Sequence, residues 1–300
     1  MIYPSRRTVL ALAGAALAAP PARAQSASAA PLRGDGVHDI EISARPIERF
    51  GRTSNTTKFG RLEFRGGLVL TSSDKNFGGL SGIAVDPDGR RFLAITDEGH
   101  WLGGELAYSG NAPSGIARAR MGEISAMSGR ALTRKRDADC EGIALVSGTL
   151  TNGMVLLSFE RNARIGRFPV VNGILQPPAG YLKTPPEAKR FKSNRGFESV
   201  TVVPGGPLKG SVLAFAERYT DGNGHHTGWI WQQGEPRPIY LRDVDGFDVT
   251  DLAALGDGSI IVLERRFRWT EGVQMRLRLI KADALIPGSV LDPEVLLAAD

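Results

Sequence analysis

Pairs of acidic residues recur along the chain at a spacing that could bring carboxylates together. Glu141 precedes Glu160 by 19 residues, and Glu198 precedes Glu217 by the same distance. In each pair the first Glu begins an apolar segment, and the second ends the next apolar segment after a Gly-containing turn. In an antiparallel hairpin the start of the first strand lies beside the end of the second. The spacing therefore predicts that both carboxylates of a pair lie at one end of a hairpin.

The two pairs belong to a longer repeat, in which four apolar segments align. Their equivalent positions, which are 60, 57 and 52 residues apart, are Ser81, Glu141, Glu198 and Thr250. The apolar segments that follow end in the acidic residues Asp97, Glu160, Glu217 and Glu264. Short β-rich runs bounded by Gly, Pro and Asp predict strands. A repeat of this length with several strands is typical of a β-propeller, whose blades are four-stranded sheets around a channel.

The repeat also sets the expected size of the propeller. Residues 37–300 hold fewer than five repeats at a mean spacing of about 56 residues, so five to six blades of about 52–60 residues are predicted, the last one missing from the C-terminal end. An all-β propeller without its last blade should show a gap, or an N-terminal strand near residues 61–70 that is partly unpaired. If the first strand of each blade is innermost, the recurring acids converge on one mouth of the channel.

Clustered carboxylates repel one another, which raises the pKa of some of them unless a cation offsets the charge. Either arginines neutralise the acids, or oxygen ligands bind a hard cation such as Ca²⁺. An arginine directly follows each of three closing glutamates, which favours neutralisation there; these are Arg161, Arg218 and Arg265. Because adjacent strand residues face opposite ways, each arginine is expected to pair with the next blade.

Glu141 and Glu198 have no adjacent arginine, so they are the predicted metal ligands, together with Asp251 of the fourth repeat. One hypothesis is a metal-dependent hydrolase of a small ester or phosphoester, in which these residues hold Ca²⁺. Its catalytic candidates are a carboxylate base and an arginine that binds the anion. The base would be Asp97, Glu160 or Glu217, and the arginine would be Arg161, Arg218 or Arg195. The alternative is a non-catalytic propeller that binds a ligand or a protein, with a structural ring of Glu and Arg.

The N-terminus predicts export. Arg6 and Arg7 precede an Ala-rich apolar run, and Ala22-Arg23-Ala24 resembles a cleavage site. This pattern indicates a twin-arginine type signal over residues 1–24 and a periplasmic or secreted protein, although a Sec signal with a chance Arg pair is the alternative. A flexible leader, 25–36, and one domain, 37–300, follow. Removing the signal leaves 34 basic against 32 acidic residues, a net charge of +2 in place of +5.

Composition excludes several other classes of protein. The chain is 42% hydrophobic and 23% charged, which is ordinary for a globular protein. A single cysteine, Cys140, excludes an intramolecular disulfide and a cysteine-cluster metal site. Beyond the signal no apolar run is long enough for a membrane-spanning helix. The basic clusters lack the interleaved aromatics of a nucleic-acid reader, so no nucleic-acid partner is predicted. A monomer is expected.

Several motifs together resemble the phytase-like family of exported bacterial β-propellers, which is described as having esterase-like activity. The motifs, between about residues 60 and 270, are Leu80-Ser81-Gly82-Ile83 with Thr96-Asp97-Glu98-Gly99, Asp139-Cys140-Glu141-Gly142-Ile143, Phe159-Glu160-Arg161, Asn194-Arg195-Gly196-Phe197-Glu198-Ser199, and Phe247-Asp248-Val249-Thr250-Asp251 with Leu263-Glu264-Arg265. The resemblance implies a propeller fold, and the related calcium-dependent propeller phytases hydrolyse phosphate monoesters with Ca²⁺ at the channel mouth. Their Asp-Asp-Pro-Ala signature is absent here, so the resemblance does not extend to phytate as the substrate.

Overall fold

The structure, a computed structural model, describes residues 36–51, 55–191 and 195–299. The predicted signal, most of the leader and Asn194 therefore lie outside the described residues. Five short strands come first: β1 His38–Asp39, β2 Ser43–Ile47, β3 Lys58–Phe59, β4 Leu62–Glu63 and β5 Gly67–Thr71. β2 pairs with β5 and β3 with β4, so most of this segment forms small sheets of its own.

Four antiparallel sheets, each built from strands in nearly sequential order, follow and form the blades of a β-propeller. The first blade contains β6 Leu80–Val85, β7 Arg91–Thr96, β8 His100–Ser109 and β9 Ala112–Glu123, and β1 pairs with the outer side of β9. A short helix, α1 Lys135–Ala138, leads into the second blade. That blade contains β10 Cys140–Gly148, β11 Gly153–Phe159, β12 Arg164–Val171 and β13 Ile174–Leu175, and β14 Gly180–Tyr181 also pairs with β12.

A 3-10 turn at Pro186–Arg190 precedes the third blade. A second 3-10 turn, at Ala282–Ala284, lies within the fourth blade, before its outer strand. The third blade contains β15 Phe197–Val202, β16 Val212–Thr220, β17 His226–Gln232 and β18 Glu235–Leu241. The fourth contains β19 Asp248–Ala254, β20 Ile260–Arg268, β21 Gly272–Ile280 and, after β22 Val290–Leu291, the outer strand β23 Glu294–Ala299. β22 pairs in parallel with β18 of the third blade, which ties the last two blades together.

The apolar core lies between neighbouring blades. Ile95 and Trp101 of the first blade pack with Phe159 and Phe168 of the second, and all four are buried. Similar clusters fill the spaces between the second and third and between the third and fourth blades. Because each blade buries one face against the next, the packing holds the first strands of the blades side by side around the channel.

The first strand of each blade is innermost, and contacts run in the order β6, β10, β15, β19. A Cβ added at Gly142 would lie 2.9 Å from the backbone nitrogen of Val200 and 2.7 Å from Ser158 Oγ. Only glycine therefore allows β10 and β15 to approach so closely. Ser81 Oγ donates to the carbonyl oxygen of Cys140 at 2.6 Å, which joins β6 to β10. The inner ends of consecutive strands are thus held in contact.

The blade number differs from the prediction of five to six, since the described residues form four. The residues before Leu80 form the short strands β1–β5, which supply no additional four-stranded blade. Within the described ranges β6 and β19 make no extensive contact, which agrees with the expected gap. Apolar side chains of β6 are accordingly exposed, including Ile83 at 53%. None of the helices in the described part of the chain is long and apolar enough to cross a membrane.

Candidate functional site

The four repeat positions share a backbone feature: each is the inserted residue of a β-bulge. In the second blade Cys140 pairs with Phe159 and Gly142 with Ser158, so Glu141 is the extra residue. The same shift in register occurs in the other three blades, at Ser81, Glu198 and Thr250. A bulge bends its strand and redirects the side chain. The repeat in the sequence therefore marks a repeated bulge at one mouth of the channel.

Three closing acids occupy equivalent positions opposite these bulges. The backbone N–H groups of Asp97, Glu160 and Glu217 donate to the residue before each inner strand, with distances of 3.0, 3.0 and 2.9 Å to the carbonyl oxygens of Gly79, Asp139 and Gly196. Each closing acid therefore lies beside the start of its inner strand. This is the hairpin geometry that the 19-residue spacing predicts for the second and third blades.

Glu264 does not extend this set of acids, contrary to the expectation. It pairs with Val249, while Arg265 pairs with Asp248, so Arg265 has the position that corresponds to Glu160 and Glu217. Since adjacent strand residues face opposite sides, the one-residue offset turns Glu264 into the blade interior. There it is fully buried, and the guanidinium groups of two arginines on β21 donate to it, from Arg276 at 2.7 Å and from Arg278 at 3.1 Å.

Five carboxylates meet between the second and third blades, and we call them the acidic cluster: Asp139, Glu141, Glu160, Glu198 and Glu217. Asp139, Glu141 and Glu160 form one group, and Glu160, Glu198 and Glu217 form a second, with ligand oxygens within 4.8 Å of one another in each group. None of the five is more than 8% exposed. The predicted gathering of the two Glu pairs is confirmed.

Asp139 is the member that sequence reasoning missed, although it lies only two residues before Glu141. Asp139 accepts from Arg161 Nε at 2.9 Å and from Lys135 Nζ at 2.6 Å, and the same ammonium also contacts Asp97 at 2.9 Å. Burial alone would lower the pKa of Lys135, but its hydrogen bonds to Asp139 and Asp97 outweigh burial and the pKa is raised. These cations hold Asp97 and Asp139 at the edge of the cluster.

The arginines that follow the closing glutamates behave differently from each other. Arg218 Nε reaches Asp248 of the next blade at 2.7 Å, which confirms the predicted cross-blade pairing. Arg161 pairs within its own blade, with Asp139, so the prediction is wrong for that residue. Asp139, its partner, directly precedes the inner strand β10.

Glu160 belongs to both carboxylate groups, and its pKa is strongly raised. Burial raises the pKa of Glu160 to about 10, and the charges of Glu198 and Glu217 act in the same direction. Hydrogen bonds from Glu160 to Glu217 and Asp139 also favour its protonated form. A cluster of buried carboxylates needs a positive charge or a proton to offset the repulsion. In the protein without a bound metal ion, a proton on Glu160 offsets part of this repulsion.

The metal-free protein is expected to lose stability as the pH rises. The pKa of Glu160 is raised from 4.5 to about 10 on folding, so its stabilising contribution is full below the unfolded pKa and is lost as pH rises through the folded pKa. Replacing Glu160 with Gln should raise the melting temperature at neutral and alkaline pH and flatten the profile. Thermal melts from pH 5 to about 10 measure this. Parallel pH profiles for the two proteins would contradict it.

Asp251, the third predicted metal ligand, lies outside both carboxylate groups among the described residues. It directly follows the fourth bulge, at the position of Gly82, Gly142 and Ser199 in the other blades. Burial raises the pKa of Asp251 to about 7, although the N–H of Leu252 donates to its carboxylate at 2.8 Å and acts in the opposite direction.

The donor atoms of the cluster fit a hard divalent cation. They are carboxylate oxygens, the ligands that Ca²⁺ prefers, and two neighbouring groups share Glu160. Nearby, the buried hydroxyls of Ser158 and Ser199 have no hydrogen-bond partner in the described part of the chain. Ser158 lies two residues before Glu160, on the same side of the strand. The site therefore has oxygen atoms that a cation would satisfy.

Comparison with known proteins identifies the family of the chain. No curated protein sequence matches the chain. Among solved structures, the β-propeller domain of Myceliophteria thermophila Cps50 (Swd1) is similar, with 12% identity, a TM-score of 0.40, and coverage of 86% of this chain and 74% of that one. The family model described as "Phytase-like: Esterase-like activity of phytase" matches residues 75–297, which include the inner strands of all four blades and the acidic cluster. The chain therefore belongs to the phytase-like family of β-propellers.

Proposed function

We propose that the protein is an exported, metal-dependent hydrolase of small esters or phosphoesters that acts at the acidic cluster. The observation that carries the proposal is the pair of overlapping carboxylate groups that share the buried Glu160. Five buried acids in one place weaken the fold unless a cation or a proton offsets their repulsion, and a bound metal ion would supply that positive charge. Membership of the phytase-like family supports hydrolysis of an ester bond as the reaction.

Ca²⁺ is the cation that suits the donor set, and Glu141, Glu160, Glu198 and Glu217 would hold it together with Asp139. A bound Ca²⁺ would polarise the scissile ester and offset the charge of an anionic substrate. The protein contributes the fixed positions of these ligands, because the bulges at Glu141 and Glu198 lie in strands packed on both sides. The ligands therefore need little reorganisation when the cation binds.

The remaining candidates lie at the edge of the cluster. Arg161 and Arg218 keep 39% and 41% of their side chains exposed while their Nε atoms hold Asp139 and Asp248. They are positioned to bind an anionic group of the substrate at the mouth. Asp97, held by Lys135 and 21% exposed, is the most accessible of the three closing acids and is our candidate for the base.

Metal analysis and a substrate panel test the proposal. The mature protein, purified without chelator, is assayed on aryl esters, alkyl esters and phosphate monoesters, before and after EDTA. We expect bound Ca²⁺, turnover of at least one class, loss of that turnover with EDTA, and recovery when Ca²⁺ is added. Turnover that EDTA leaves unchanged would contradict the role of the metal. Protein that contains no divalent metal and hydrolyses none of these substrates would contradict the whole proposal.

A second candidate function is ligand or protein binding without catalysis. Its support is that several acids at this mouth are held by cations, as Asp248 is by Arg218 and Asp139 by Arg161 and Lys135. In that case the ion pairs would join the blades and the cluster would have a structural role. Ca²⁺ binding that raises the melting temperature without any turnover would favour this candidate.

Export is part of the proposal and has its own test. The pattern of Arg6 and Arg7 before an Ala-rich run motivates cleavage after Ala24. N-terminal sequencing of the protein from the periplasm is expected to begin at Gln25, and replacing both arginines with lysine should hold the precursor in the cytoplasm. Exported protein that retains Met1 would contradict the cleavage, and unchanged export of the double variant would favour a Sec signal.

A further inference from the structure

A small cleft between the first and second blades contains three arginines and lies away from the acidic cluster. Arg91 begins β7, whose other end, Thr96, precedes the closing acid Asp97, so the cleft is at the opposite end of the blade from the mouth. Its lining residues are Arg91, Phe92, Leu93, Gly103, Gly104, Arg118, Arg120, Leu150 and Gly173. Its position makes it a separate site from the proposed catalytic mouth.

The acids near the cleft leave Arg120 without an ion pair among the described residues. Glu105 accepts from Arg91 at 2.8 Å and, in a closer contact, from Arg118, so a single carboxylate serves two guanidinium groups. Asp86 is a second neighbouring acid, and its carboxylate accepts the backbone N–H of Leu150 at 2.8 Å. Asp39 lies opposite Arg120 in the pairing of β1 with β9. None of these three carboxylates forms an ion pair with Arg120 among the described residues.

Arg120 has an incomplete set of acceptors. Its Nη2 donates to the carbonyl oxygen of Asn172 at 3.3 Å, while its Nη1 is buried and has no hydrogen-bond partner within the described ranges. A buried cationic donor without an acceptor is costly, and an anion in the cleft would satisfy it. The planar guanidinium group suits an oxyanion, because two N–H groups can donate in parallel to two oxygens.

We propose that this cleft binds a small inorganic oxyanion, phosphate or sulfate, with Arg120 as its central ligand. Gly103, Gly104 and Gly173 form part of the wall, so no side chains fill the space beside the guanidinium group. The cavity has a volume of about 20 Å³, room for about one water-sized group, so one oxygen of the anion would enter it and the others would lie at its open side. Arg91 and Arg118 add positive charge at the entrance, since both side chains are partly exposed.

Two variants distinguish the effect of a charge in the cleft from the effect of the size of the cleft. Arg120→Gln removes the central donor, whereas Gly103→Ala leaves every charge in place and adds one methyl group. A Cβ at Gly103 would lie 3.5 Å from Trp101, 3.7 Å from Leu93 and 3.8 Å from the carbonyl oxygen of Gly173. These are ordinary van der Waals distances, so Gly103→Ala should fold normally while it narrows the cleft. Arg130→Gln, at an exposed arginine, is the control for the change in net charge.

The test is calorimetric titration of the metal-free mature protein with inorganic phosphate and then with sulfate, at constant ionic strength set with chloride. We expect saturable binding to the parent protein, about tenfold or more weaker in Arg120→Gln and in Gly103→Ala. Arg130→Gln and Glu198→Gln should bind as the parent does, which separates this site from the acidic cluster. The proposal is overturned if the parent binds neither anion. It is also overturned if both cleft variants keep the parent affinity, or if only Glu198→Gln loses it.

Discussion

Replacing Glu198 with Gln is expected to weaken Ca²⁺ binding by about 10- to 100-fold and to lower hydrolysis at subsaturating Ca²⁺ by a similar factor. Gln has nearly the same shape as Glu but no negative charge, and Ca²⁺ affinity depends on the number of charged oxygen ligands. Glu198 is 2% exposed and shares its group with Glu160 and Glu217, so water cannot easily replace its oxygens. Calorimetric titration with Ca²⁺ and the rate on the best substrate measure the two effects.

Two controls keep this result interpretable. Glu48→Gln makes the same change at an exposed residue outside the four blades, and it should leave both Ca²⁺ affinity and rate unchanged. The melting temperature of the metal-free Glu198→Gln protein should not fall, because the substitution removes a negative charge that repels the carboxylate of Glu160. Unchanged Ca²⁺ affinity in a folded Glu198→Gln protein would remove Glu198 from the metal site and leave the acids a structural role.

The sequence was sufficient to locate the cluster because its determinant is local. Each repeat places a polar residue two positions after a Gly or Asp and just before an apolar run, and hairpin geometry then brings the closing acid beside it. This one relation was enough to predict that Glu141 lies beside Glu160 and that Glu198 lies beside Glu217. The length of the repeat also predicted the four-stranded blades of a β-propeller. It did not predict the number of blades, because the segment before Leu80 forms short separate strands.

The register at the closing strands could not be read from the sequence. Glu160-Arg161, Glu217-Arg218 and Glu264-Arg265 look equivalent as dipeptides, but hairpins of different length change which residue lies opposite the bulge. A shift of one residue moves a side chain to the other face of the sheet. Glu264 therefore enters the blade interior, where its partners come from β21, a strand that the repeat did not single out.

Contacts between residues far apart in sequence were also beyond reach. Arg120 lies beside Asn172 and Gly173, 52 and 53 positions away, only because the first two blades pack together. Nothing in the local sequence of β9 separates Arg120 from the neighbouring Arg118. What distinguishes it is that, among the described residues, its guanidinium group forms no ion pair and its Nη1 is buried without an acceptor, a property of the packed blades.

Replacing Glu264 with Gln is expected to destabilise the protein by roughly 3–5 kcal/mol, the typical cost of breaking a buried ion pair by removing one partner. Glu264 is fully buried, and Arg276 and Arg278 are 5% and 1% exposed, so the substitution leaves two guanidinium groups without their shared carboxylate. Arg278 also donates to the carbonyl oxygen of Arg242 at 2.9 Å, which joins β21 to the segment after β18. Urea unfolding of the metal-free protein measures the change.

The comparison with Glu160→Gln makes this prediction specific to the environment of each glutamate. The same substitution should stabilise the metal-free protein at Glu160, whose neighbours are acids, and destabilise it at Glu264, whose neighbours are arginines. Glu271→Gln is the surface control, because Glu271 is 36% exposed and pairs with Arg266 and Arg268, and its loss should cost less than about 1 kcal/mol. The assignment of Glu264 to the interior of its blade would be wrong if the Glu264→Gln protein were no less stable than the Glu271→Gln protein. It would also be wrong if Glu160→Gln and Glu264→Gln changed the stability in the same direction.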